Sequence, residues 1–182
     1  GIGRAMIARF SEPKGGFYYV DGLASERVAP LLIWADGENP AGVGEACRLI
    51  QRLSAYGAEG IELGLVEATL ARASRHLKGQ AAGTAVPSLL RVFANQPQMN
   101  QVVVVGSRSD VNTRALLDAY RSRRRPRSIL ALVEPGLDSK GYSVFSRFED
   151  DKGAKAFVCR QGKCGVGVVE PRALRLELAE LD

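Results

Sequence analysis

The sequence predicts an α+β chain, a run of amphipathic helices followed by a small βαβ sheet unit. Three observations carry that expectation. Over the first half, apolar residues recur at helical spacing between turn signals. At Gln101 the pattern switches to the unbroken β-branched run VVVV, closed by Gly106. A second apolar run, SILALV, then follows with one helical stretch between the two. The 182 residues are 46% hydrophobic and 25% charged, enough apolar material for one core or two small ones.

The first helix is expected over residues 2–11, where Ile2, Met6, Ile7 and Phe10 share a face, and Pro13 with Gly15-Gly16 ends it. The chain enters this pattern at once and without an initiating methionine, which predicts a fragment of a longer protein. GFYYV, aromatic and β-branched, suits a short extended piece. Asn39 before Pro40 predicts an N-cap with proline at the first helical position, where its missing N–H costs nothing. Val43, Ala46, Cys47, Ile50 and Leu53 then line one face, and Gly57 supplies the stop.

A third helix is expected from Gly60 to Lys78, with Ile61, Leu65, Ala68 and Arg72 beside Val66, Leu70, Ala73 and Leu77, closed by Gly79. The polar loop GQAAGTA leads to Pro87 and a short helix through Phe93 that ends near Asn95, before Pro97. Short connections between these helices predict antiparallel hairpins. The boundary is placed after residue 96, giving helical hairpins over 1–96 and a small α/β subdomain over 97–182. In the latter, Asp110 is positioned to cap a helix bearing Leu116, Leu117 and Tyr120. KAFVC reads as a third strand, and Pro171 opens a last helix with Leu174 and Leu178.

No apolar run approaches the ~18 residues of a membrane span, and the N-terminus has no basic segment followed by an apolar stretch. The expectation is a cytoplasmic protein with no membrane partner. Three cysteines, Cys47, Cys159 and Cys164, are too few and too scattered for a disulfide scaffold, so reduced thiols are expected. The net charge of +5 is uneven, since YRSRRRPRS gathers Arg121, Arg123, Arg124, Arg125 and Arg127.

Four landmarks in order, KGGFYY at Lys14 to Tyr19, ADGENPAG at Ala35 to Gly42, VVVVG at Val102 to Gly106, and FVCRQGKC at Phe157 to Cys164 followed by VVEP, carry a resemblance. The chain resembles the C-terminal part of the thioredoxin-domain-containing proteins related to spermatogenesis-associated protein 20. The resemblance implies a fold in which an N-terminal thioredoxin-like domain precedes a six-hairpin α/α barrel similar to that of N-acylglucosamine 2-epimerases. Residues 1–96 would then be the last hairpins of an incomplete α/α barrel and the βαβ unit an appendage. The sequence departs from that pattern after the Asp-Gly and proline: Ala41, Gly42 and Val43 stand where the family tends to read Ser-Gly-Asn.

Several residues invite a chemical reading. Cys159 and Cys164 are a candidate redox couple flanked by Arg160 and Lys163, although a dithiol enzyme normally has the tighter C-x-x-C at a helix N-terminus, where amide dipoles favour the thiolate. A packing role competes. A closed zinc site needs four ligands, and Cys47, Cys159, Cys164 and His76 would all have to converge; no metal and no cofactor is predicted. His76, in a helix's last turn, suits the dipole better than general base work. The arginine cluster reads as a solvated helix end or a contact to other domains, ahead of nucleic acid, because only Tyr120 offers an aromatic face. VVVVGSRSD has too few glycines for a dinucleotide loop and leaves only a weak anion site at Ser107 or Ser109.

Trp34, Asp36, Glu38 and Asn39 precede the second helix. The resemblance implies that such loops at one end of a barrel hold sugar, with Trp34, Asp36 and Asn39 contacting it and Asp36 and Glu38 sharing acid–base work through one raised pKa. The competing reading is a turn at Asp36-Gly37. The main expectation is therefore a structural or partner-binding portion, its partners the missing thioredoxin-like and barrel segments, with self-association through exposed apolar helix faces. A carbohydrate-active barrel enzyme and a thiol switch at Cys159 and Cys164 are the alternatives.

Overall fold

The computed structural model describes residues 1–21, 31–76, 86–96 and 99–181. Seven helices and a mixed four-stranded sheet among them make the chain α+β. By contact, the chain divides into two units, Gly1–Ser54 with Gly60–Gln96 and Ala55–Glu59 with Pro97–Asp182. The expected helix end at Leu77 to Gly79, the rest of the GQAAGTA loop and the stop at Pro97 lie outside the described residues.

In the first unit, α1 (Ile2–Phe10) stops where Ser11, still donating its N–H to Ile7, turns extended. The chain reverses through Gly15 and Gly16, at φ +96° and +113°, a region that L side chains avoid. A Cβ on Gly15 would also lie 2.5 Å from the Ala68 carbonyl, so this turn admits glycine only. Phe17 and Tyr18 make single antiparallel bridges to Ser11 and Leu32, not a strand, despite their β propensity.

Helix α2 (Gly42–Ala55) buries Val43, Ala46, Cys47 and Ile50 as expected, but it begins at Gly42 and not at Pro40. Helix α3 (Gly64–His76) begins later than Gly60, because the N–H groups of Val66 and Glu67 both donate to Leu63 O and start the ladder there. Helix α4 (Pro87–Ala94) opens on its proline and buries Ser88, Leu89 and Val92. The Gln51 side chain of α2 donates to Val92 O at 2.8 Å, and Gly44 leaves room for Ser88, whose Cβ would sit 2.5 Å from a Cβ there.

The second unit is a sheet covered on both faces. Strand β1 (Asn100–Val105) pairs in parallel with β2 (Ser128–Val133) across helix α5 (Val111–Arg121). On its other side β1 pairs antiparallel with β3 (Lys155–Arg160), which pairs with the two-residue β4 (Lys163–Cys164), giving the order β2-β1-β3-β4. Alternation explains the unbroken VVVV run. Val102 and Val104 face Leu116, Leu117 and the closing helix α7 (Pro171–Ala179) through Leu174 and Leu178, while Val103 and Val105 face Val144 and Phe148. Burying each such side chain contributes about 1.5–3 kcal/mol, so the two faces carry this unit's stability.

Two elements here, β4 and the four-residue α6 (Ser143–Ser146), are too short to show a period in the sequence. Ala55–Glu59, which runs from the end of α2 through the expected stop at Gly57, groups with the sheet unit. Tyr56 donates its hydroxyl to Leu130 O at 2.9 Å, Gln101 donates to Ala55 O at 2.7 Å, and Ala58 bridges Tyr142. Asp110 caps α5 as expected, accepting from Asn112 N at 3.2 Å and from the Thr113 hydroxyl at 3.1 Å.

Candidate functional site

Asp36 is the most heavily bonded of the sequence candidates. Its Oδ1 accepts from Ala41 N–H at 2.6 Å and from the Ser88 hydroxyl at 2.5 Å, and its Oδ2 accepts from Ser88 N–H at 2.7 Å. Ala41 O receives the N–H groups of Gly44 and Glu45, so Ala41 opens α2, and Ser88 lies in the first turn of α4. One carboxylate thus satisfies orphan amides at two helix N-termini, where the dipoles favour negative charge. The capping expected of Asn39 falls to Asp36 instead, because Asp36 reaches the amide next to the first turn while Asn39 is exposed and offers its backbone carbonyl to Gly37.

Desolvation pushes the Asp36 carboxyl up, but the Ser88 hydroxyl and the two backbone N–H groups outweigh it and hold the group below its ordinary range. General acid work at neutral pH asks for the opposite shift. Glu38 is exposed. Trp34 is half-buried, its ring edge near Gly16, with the Arg72 guanidinium 6.0 Å from the ring centroid and the His76 ring 5.8 Å away. Arg72 also donates to Gly15 O at 3.0 Å, so the cation over Trp34 is tied to the glycine turn.

Cys159 and Cys164 are bonded to each other as a disulfide, where two reduced thiols were expected. The reason is register: the two residues stand directly opposite on β3 and β4, so their Cβ atoms project to the same face. Their environments differ. Cys159 is 1% exposed within the apolar cluster, whereas the Cys164 sulfur lies 3.5 Å from the Arg147 guanidinium, a contact that spacing could not reveal. Cys47 is buried, and burial pushes its thiol up to about 12 against a hydrogen bond with Thr69, so it stays protonated at neutral pH. Among the described residues, no cluster of three His, Cys, Asp or Glu is placed to hold a metal ion.

Around the β1–α5 turn, Ser107 and Ser109 bond each other at 2.8 Å, and the Arg108 N–H donates to the Glu134 carboxylate at 2.9 Å. A carboxylate thus takes an amide that an incoming anion would need. Of the clustered arginines, Arg125 is folded inward, its guanidinium donating to Tyr120 O at 2.6 Å and lying 5.6 Å from the Tyr120 ring centroid. Arg121, Arg123, Arg124 and Arg127 are exposed. Sequence spacing treats the five alike. Two more arginines, Arg108 and Arg114, join Arg121 along one groove, which spacing along the chain did not bring together.

No protein-family model matches the chain, and no solved structure matches it. Human spermatogenesis-associated protein 20 is 31% identical to it over 98 residues, a match that covers 50% of this chain and 12% of the human protein. The similarity is distant, and the matched part of the relative is a small share of its length. Among the described residues, no helix is long and apolar enough to cross a membrane.

Proposed function

We propose that these residues form a structural, partner-binding portion of a longer protein similar to spermatogenesis-associated protein 20, without a catalytic site of their own. The observation that supports this most directly is the commitment of Asp36. The carboxylate best placed for acid–base work in the sequence reading accepts three hydrogen bonds from helix starts and is held in its charged form. The surface adds support. Leu90 and Phe93 on α4 are 50% and 68% exposed beside Leu70 of α3, an apolar groove of the kind that further segments of the same protein, or a second copy, would cover.

Titration calorimetry of the chain with glucose and with N-acetylglucosamine tests the reading. No saturable binding is the expected result. Saturable binding that disappears in Asp36→Asn would overturn the proposal in favour of a carbohydrate-active protein.

A further inference from the structure

The outer edge of the sheet supports a partner class, an inference that rests on the partner-binding reading above. Among the described residues β2 pairs only with β1, so its other side is an edge. Asn100 N–H donates to Arg127 O and Gly106 N–H to Val133 O, which sets the phase of the parallel ladder. Odd-numbered residues of β2 turn their backbone groups toward β1, and Ser128, Leu130 and Leu132 turn theirs outward. Ser128 N–H is taken by Arg125 O, and Leu130 O receives the Tyr56 hydroxyl. The N–H of Leu130 and both backbone groups of Leu132 have no partner among the described residues.

A groove of about 460 Å³ lies along this edge, with Leu130 and Leu132 on its floor and Arg108, Arg114 and Arg121 on its walls. Asp118 is the one acid among its lining residues. Arg108 is engaged with Glu134 at 3.6 Å, whereas Arg114 and Arg121 are exposed and have no acidic partner among the described residues. Seven positions apart on α5, they stand about 10.5 Å from each other along the helix. Carboxylates two positions apart on an extended strand are separated by about 7 Å, a difference that long arginine side chains absorb. Exposed Arg123, Arg124 and Arg127 continue the positive charge toward the start of β2.

We propose that this edge docks an acidic, extended peptide segment of a partner, added to the sheet alongside β2. The open main-chain groups would supply the ladder, the two leucines an apolar floor, and the arginines the selection for acidic residues. Single-stranded nucleic acid is disfavoured at this groove, because it calls for aromatic stacking platforms. Tyr120, the aromatic residue nearest in sequence to the cluster, bonds Ser128 Oγ at 2.8 Å and has Arg125 at its ring.

The test is nuclear magnetic resonance titration of the full chain with a short peptide of alternating glutamate and valine. The amide signals of Leu130 and Leu132 are expected to shift and gain exchange protection, and the affinity to fall with added salt. The double substitution Arg114→Glu with Arg121→Glu should weaken binding about tenfold or more, with the β1 amide pattern retained as proof of folding. Arg172→Glu, at an exposed position of α7, should bind as the unaltered chain does. Absence of binding, binding that leaves those two amides unperturbed, or equal weakening by Arg172→Glu each overturns the proposal. Tighter binding of a single-stranded oligonucleotide in the same groove overturns it as well. The sugar titration reads Asp36 in the other unit, so a failure here and a failure there give separate signatures.

Discussion

In the helical unit, buried apolar residues such as Phe17, Ile50, Val66, Leu89 and Val92 are supplemented by polar side chains that tie separated segments together: Asp36 to Ala41 and Ser88, Thr69 to Gly16, Gln51 to Val92, Arg72 to Gly15. In the sheet unit the joining groups are mostly apolar, valines of β1 at 0–3% exposure packed from both faces. The difference has consequences for how each unit fails. A hydrogen bond contributes about 1 kcal/mol net and fails one bond at a time. A close-packed core loses both transfer energy and packing when one side chain is truncated. The sheet unit should therefore respond mainly to volume, and the helical unit to charge state and backbone geometry as well as to volume.

The largest effect is expected from Leu116→Ala, which empties a fully buried position beneath the sheet. It should destabilise the sheet unit by about 3 kcal/mol, read from hydrogen exchange of the β1 amides. A loss below about 1 kcal/mol would mean that the face repacks and the comparison is overdrawn.

Next comes Gly15→Ala, which adds almost no volume but places a Cβ against the Ala68 carbonyl at positive φ. About 2 kcal/mol should be lost from the helical unit, followed by the fluorescence of Trp34, the chain's single tryptophan. An unchanged denaturation midpoint would show that the turn relaxes freely.

The smallest effect is assigned to Asp36→Ala, at about 1 kcal/mol for a lost cap. Its pH dependence gives a sharper reading than its size. The folded carboxyl lies below its ordinary value, so the unfolded chain binds the proton more tightly and stability rises with pH. The contribution is present above the ordinary carboxyl value of about 3.9 and is lost as pH falls through the lower folded value. The difference in stability between the parent chain and Asp36→Ala should accordingly shrink in acid, and a difference that stays constant would argue against the carboxylate as its source.

Much of the local order was legible. Helical spacing located α1, the body of α2 and α4, and the β-branched runs located β1 and β2, because each pattern follows from neighbours along the chain. The start of α2 was not, since Asn39-Pro40 is a sound local cap that loses to a carboxylate bonded to Ser88, 52 residues away. The disulfide between Cys159 and Cys164, against the expected reduced thiols, has a related reason. Spacing gives their separation of five, but whether they stand opposite depends on β4, two residues long.

By itself the sequence determined the α+β class and the order of its main elements, because apolar period and turn residues act over a few positions. Tertiary structure decided which polar side chains became clamps, which arginine turned inward, and which three arginines share a groove with an open strand edge. Those outcomes depend on residues distant in the chain arriving at one place, and no period in the sequence encodes that arrival.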